Sequence, residues 1–73
     1  MSGFVIVYQR KTGESRVRSF LGENGYRDAF AERMKLEAEN SDPDVEIVSL
    51  VSDSLESVRL THSRYFENVV ASV

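Results

Sequence analysis

Seventy-three residues without a cysteine make one small domain that has no disulfide framework, no thiolate metal site and no thiol nucleophile. A composition 41% hydrophobic and 29% charged suits a chain that folds, and a net charge of −3 argues against a surface that holds nucleic acid without specificity. The longest apolar run, Phe4 to Tyr8, is far short of the roughly 18 residues of a membrane span, and no basic-then-apolar leader is present. A cytoplasmic protein that leaves membranes alone is therefore the expectation. At roughly 0.05–0.15 kcal/mol per residue such a domain holds about 4–11 kcal/mol of stability, so each buried aromatic matters.

Phe4-Val-Ile-Val-Tyr8 is β-branched and aromatic on both alternating faces, the pattern of a central strand covered on two sides. Ser15 to Leu21 alternates more openly, with Val17, Ser19 and Leu21 on one face and Arg16, Arg18 and Phe20 on the other, which predicts an edge strand. Between them Lys11-Thr-Gly-Glu14 is a turn in which Gly13 takes a left-handed conformation, closing a β-hairpin. Gly22-Glu-Asn-Gly25 then breaks the chain, and Asn24 or Gly25 caps a helix predicted over Tyr26 to Glu39. Its apolar arc holds Tyr26, Ala29, Phe30, Met34, Leu36 and Ala38, so Phe30 is expected in the core. Asn40-Ser-Asp-Pro-Asp44 ends that helix, because a residue before proline avoids helical geometry.

Val45 to Val51 is a third strand, with Val45, Ile47 and Val51 on one face and Val48 and Leu50 on the other. A second helix is predicted over Asp53 to Phe66, opened by Asp53 and Glu56 in a capping-box-like pair and carrying Leu55, Val58, His62, Tyr65, Phe66 and Val69 on one face. Residues 68–73 form an extended or disordered C-terminal tail, or continue the helix; periodicity does not separate these over six residues. The order is ββαβα, an α+β single domain over residues 1–73. Its three-stranded antiparallel sheet is placed in the order 2-1-3, which puts the arginine-bearing strand at an edge and packs the sheet with two helices. Strands one and three are apolar on both faces, so either the helices lie on opposite faces or a partner covers the second one; a homodimer is the expected partner.

Three groups of residues are candidates for chemistry. Arg33, Glu37 and His62 interrupt the apolar arcs of the two helices and would converge if those helices packed side by side, giving an imidazole beside a carboxylate and a guanidinium for an anionic group. The competing reading is an ordinary i,i+4 ion pair and a partly buried ring. Arg10, Lys11, Arg16 and Arg18, with Phe20 beside them, form a basic hairpin of the kind that neutralises phosphates while an aromatic stacks on bases; the small count and the negative net charge favour a solvated edge strand balanced by the acidic linker. The acidic stretch Glu39 to Glu46 lacks the alternating ligands and central glycine of a calcium loop, and a lone histidine without cysteine completes no usual metal site.

No catalytic motif is present, and neither a cofactor nor a metal is expected. Leu60 points away from the second helix's apolar face and, with Val70 and Ala71, is a candidate protein contact. The function that follows is a small noncatalytic protein-interaction module that self-associates. The alternatives are a nucleic-acid-binding accessory protein using the hairpin, and a small enzyme built around His62.

Overall fold

The computed structural model describes residues 2–66 and 68–72, with side chains described through residue 66. Strands β1 (Ser2–Gln9) and β2 (Glu14–Phe20) form the hairpin; α1 (Gly25–Glu39) follows, then β3 (Val45–Ser52), α2 (Leu55–Thr61), a 3₁₀ turn over Ser63–Phe66 and β4 (Asn68–Ser72). β1 pairs antiparallel with both β2 and β3, the 2-1-3 order expected of an α+β fold. One addition changes the sheet's edges. Residues 68–72 form a fourth strand parallel to β2, so the order is β3-β1-β2-β4 and β2 is an interior strand. The edge expected at β2 is instead at β4, and β3 forms the other.

The hairpin follows from its turn. Gly13 has φ 76°, and its N–H donates to the Gln9 carbonyl at 2.8 Å; a side chain there would strain that left-handed backbone. Both sheet faces are covered. On the first, Phe4, Ile6 and Val17 pack with Val58 of α2 and Tyr65 of the 3₁₀ turn. On the second, Val5 and Ile47 pack with Ala29 of α1. The topology explains the division. The β2-α1-β3 connection moves across β1 in one direction, and β3-α2-β4 moves back across the sheet in the other. Two parallel crossovers of the same right hand that travel in opposite directions lie on opposite faces.

Two helix details depart from the sequence reading. The second helix stops at Thr61, and His62, with φ −128° and ψ 46°, turns the chain into the 3₁₀ segment. Its cap is Ser54, whose Oγ accepts the Ser57 N–H at 3.1 Å, while Asp53 stands one position outside and accepts from Ser52 Oγ at 3.2 Å. Hydroxyl bonds from Ser57 and then Ser52 hold the Asp53 carboxyl below its ordinary value.

α1 also sits on the sheet through a different face than its large apolar residues suggested. Its buried residues are Gly25 and Ala29. Gly3 of β1 lies beneath them, so close that a Cβ on Gly3 would stand 2.7 Å from the Ala29 Cβ. Small residues on both sides let the helix axis approach the sheet closely, and Tyr26, Phe30 and Met34 are left on its flank. Phe30 is half exposed, not a core residue.

Candidate interaction surface

The Arg33, Glu37 and His62 cluster is divided by the sheet. Arg33 Nε and Glu37 Oε1 are 3.1 Å apart on α1 as an i,i+4 pair. His62 lies at the end of α2, on the other sheet face. Its Nδ1 is 2.8 Å from Thr61 Oγ1, and its ring stacks near Tyr65 at 20° with centroids 6.4 Å apart. No carboxylate among the described residues bonds the imidazole, so the arrangement lacks the orienting acid that a histidine general base uses.

The basic hairpin is not a coherent cationic surface. Arg18 Nη1 donates to Glu32 Oε2 on α1 at 2.6 Å, and its guanidinium covers the Phe20 ring with 5.0 Å to the centroid. Lys11 Nζ meets Asp44 at 3.1 Å, and Arg10 Nε lies 3.7 Å from Glu46. Arg16 alone of the four has no ion pair among the described residues. Phe20 is partly buried against Val5, Ala29 and Ile47, with Arg18 over its ring. The acidic stretch is likewise occupied: Asp42 accepts the Asp44 N–H at 2.9 Å, and the Asn40 side chain closes a turn onto Asp42.

A polar cluster that the sequence reading missed centres on Glu46. Its oxygens accept from Arg64 Nη2 at 2.9 Å and from the Tyr65 hydroxyl at 2.8 Å. The Arg64 guanidinium lies over the rings of Tyr65 and Tyr8, at 4.9 and 5.5 Å, and the two rings meet edge to face at 5.2 Å. Burial, and then the Glu46 carboxylate, push the Tyr65 phenol above its ordinary value. Ser15 Oγ, itself buried, donates to the Tyr65 carbonyl. These bonds seat the 3₁₀ turn on the sheet. The signal was present in the alternation of β3, where Glu46 shares the inward face with Val48 and Leu50.

The surface without partners lies on the other side. Tyr26, Phe30 and Met34, spaced four apart on α1, are 56, 52 and 51% exposed, and Val51 of β3 is 51% exposed. Glu32 reaches toward β2, and Phe30 stands about 160° around the helix from it at 100° per residue, so Phe30 flanks β3, with Tyr26 nearer the sheet and Met34 nearer the outer face of the helix. Val51 is opposite Gly3, beneath the start of α1, and belongs to the same flank.

The strand edge beside it is open. The Arg10 N–H donates to the Asp44 carbonyl at 2.9 Å, which sets the phase of the β1–β3 ladder. Antiparallel hydrogen bonds alternate, so Glu46, Val48 and Leu50 bond inward to β1 while the backbone groups of Ile47, Ser49 and Val51 point outward. No strand pairs with them among the described residues. Exposed edges are usually blunted by lysine, proline or a bulge. The only charged residue of β3 is Glu46, and it faces the Tyr65 cluster.

Leu60 is exposed on α2, where Leu55, Glu56, Arg59, Leu60 and Phe66 border a shallow groove. The side chains of Val70 and Ala71 lie outside the described residues, so the patch proposed for them with Leu60 does too. No described helix is long and apolar enough to cross a membrane. Compared with protein families, curated proteins and solved structures, the chain matches none of them.

Proposed function

We propose that this protein is a noncatalytic interaction module that self-associates through the flank formed by α1 and the edge of β3. The observation that carries the reading is the coincidence of Tyr26, Phe30, Met34 and Val51, each about half exposed, with an unprotected strand edge. Of the two alternatives for the second sheet face, a helix and not a partner covers it, because α1 and α2 pack on one face each. The flank replaces that face as the ground for a homodimer. Four side chains of this size, each exposing about 100 Å², make a patch near 400 Å², within the range in which the largest apolar patch of a monomer is often functional.

Molar mass measured by light scattering on a sizing column, across a wide concentration range, tests the reading. Twice the chain mass, dissociating on dilution, is the expected result. A single-chain mass at every concentration would refute self-association. Nucleic-acid binding has no comparable support, since three of the four hairpin cations are engaged by acids of the same chain.

A further inference from the structure

The self-association just proposed leaves open how two copies meet. We infer that they join β3 to β3, antiparallel, about a two-fold axis passing Ser49, extending the two four-stranded sheets into one and setting α1 against its copy. The inference rests on that reading and adds its geometry, which two independent features of the chain define.

The first feature is the strand edge. Val45 N–H is already used by the Asp42 carbonyl at 3.2 Å, so the free outward groups belong to Ile47, Ser49 and Val51. Ser49 is the centre of that run. A two-fold axis there pairs Ser49 with the partner subunit's Ser49, and Ile47 with the partner subunit's Val51. The outward groups of Ile47, Ser49 and Val51 then all gain partners, and Val45 is the one residue of β3 left overhanging.

The second feature is the helix. Gly25 lies over Gly3, which is opposite Val51, and α1 runs antiparallel to β3. Ser49 is two residues from Val51, roughly 6.6 Å along the strand, and a helix covers that distance in about four to five residues. Gly3 lies beneath both Gly25 and Ala29, so the axis that passes Ser49 crosses α1 within about two residues of Phe30. Tyr26 and Met34, four residues to either side, become equivalent about it, so Tyr26 meets the partner subunit's Met34 and the two Phe30 rings meet each other.

The lateral spacing agrees with this. α1 packs over the seam of β1 and β3 through Val5, Ala29 and Ile47. Its axis is then about half a strand spacing inside β3, and the two-fold lies half a spacing outside. With strands roughly 4.8 Å apart the two helices are separated by about 9.6 Å, inside the 8–10 Å of packed helices. Arg33 and Glu37 neutralise one another on this flank, so that pair adds no net charge to repel its copy. The patches of both copies supply about 800 Å², and the paired edges bring the total toward the roughly 1,200 Å² at which stable interfaces begin.

Amide hydrogen exchange followed by NMR, on samples whose mass is measured in parallel, tests the geometry on the unmodified chain. The N–H groups of Ile47, Ser49 and Val51 are expected to exchange freely in dilute monomer and at least about tenfold more slowly where the dimer forms, whereas Leu50, bonded to β1, is protected in both. Ser49→Pro removes an outward N–H that only the dimer uses, so it is expected to fold and to be monomeric. Phe30→Asp is expected to raise the dissociation constant by about thirtyfold or more. A dimer in which those three amides still exchange freely would overturn this geometry and leave self-association standing. A monomer throughout would overturn both.

Discussion

Replacing Gly3 by alanine tests how α1 is seated. The new Cβ would lie 2.7 Å from the Ala29 Cβ and closer still to the Gly25 carbonyl oxygen, so one of the obstructing atoms is helix backbone that cannot swing aside. Ordinary carbon contacts are about 3.5–4.0 Å, so α1 must lift by roughly 1 Å, and a gap of that size forfeits a quarter to a half of each contact it opens. The contacts at risk are those of Ala29 and Leu36 with Val5 and Ile47. Overpacking of this kind costs typically 1–3 kcal/mol, and the backbone obstruction puts Gly3→Ala near the top of that range. Alanine returns about 0.4–1 kcal/mol by restricting the unfolded chain, leaving a net loss of about 2 kcal/mol. For a domain of this size that lowers Tm by about 8–16 °C. Thermal unfolding followed by circular dichroism, at one fixed protein concentration, reads the shift. Ala29→Gly added to Gly3→Ala relieves only one of the two obstructions and should recover only part of the loss. An unchanged or higher Tm for Gly3→Ala would show that the helix does not sit this close to β1.

Phe30→Ala should cost about 1–2 kcal/mol in dilute monomer, well below the 3–5 kcal/mol of a buried phenylalanine, because half of the ring is already in water; denaturant unfolding at low concentration measures it. Ser54→Ala should cost about 1 kcal/mol, the usual loss for an N-cap hydroxyl, whereas Asp53→Ala at neutral pH should cost less; the same assay compares them. Tyr65→Phe removes the hydroxyl bond to Glu46 and should cost about 1–2 kcal/mol. Because the folded phenol titrates above 10.0, its contribution is complete below the unfolded value and declines as pH rises through the folded one. Stability of the parent chain should therefore fall more steeply above pH 10.0 than that of Tyr65→Phe, and equal slopes would contradict the burial of this group.

Three of the four strands were legible because their signals are local: apolar runs in Phe4 to Tyr8 and Val45 to Val51, alternation in Ser15 to Leu21, and a glycine at the left-handed position of the hairpin. The phase of α1 was not. Size suggested that Tyr26, Phe30 and Met34 faced the sheet, but closeness of approach decided the matter, and Gly25 and Ala29 achieve it only because a third small residue, Gly3, is distant in sequence and lies opposite them. A helical wheel carries no information about what is on the other side of the contact.

The same limit accounts for the divided polar cluster. Arg33, Glu37 and His62 each interrupt an apolar arc, and whether they meet depends on which sheet face receives the second helix. That choice was set by β4, whose five residues show no alternation from which a strand could be read. Once β4 is known to lie beyond β2, the second crossover must travel back across the sheet, and its right hand sends α2 to the face opposite α1. Covering both faces in this way also directs the remaining apolar surface to the side of the molecule. A small sheet closed above and below by one helix each has its two edges, among the described residues, at β4 and at β3. The half-exposed residues of α1 gather along the β3 edge because the narrow Gly3–Gly25 contact turns them there. The close seating of the helix and the flank available for a second copy are thus one consequence of the same small residues.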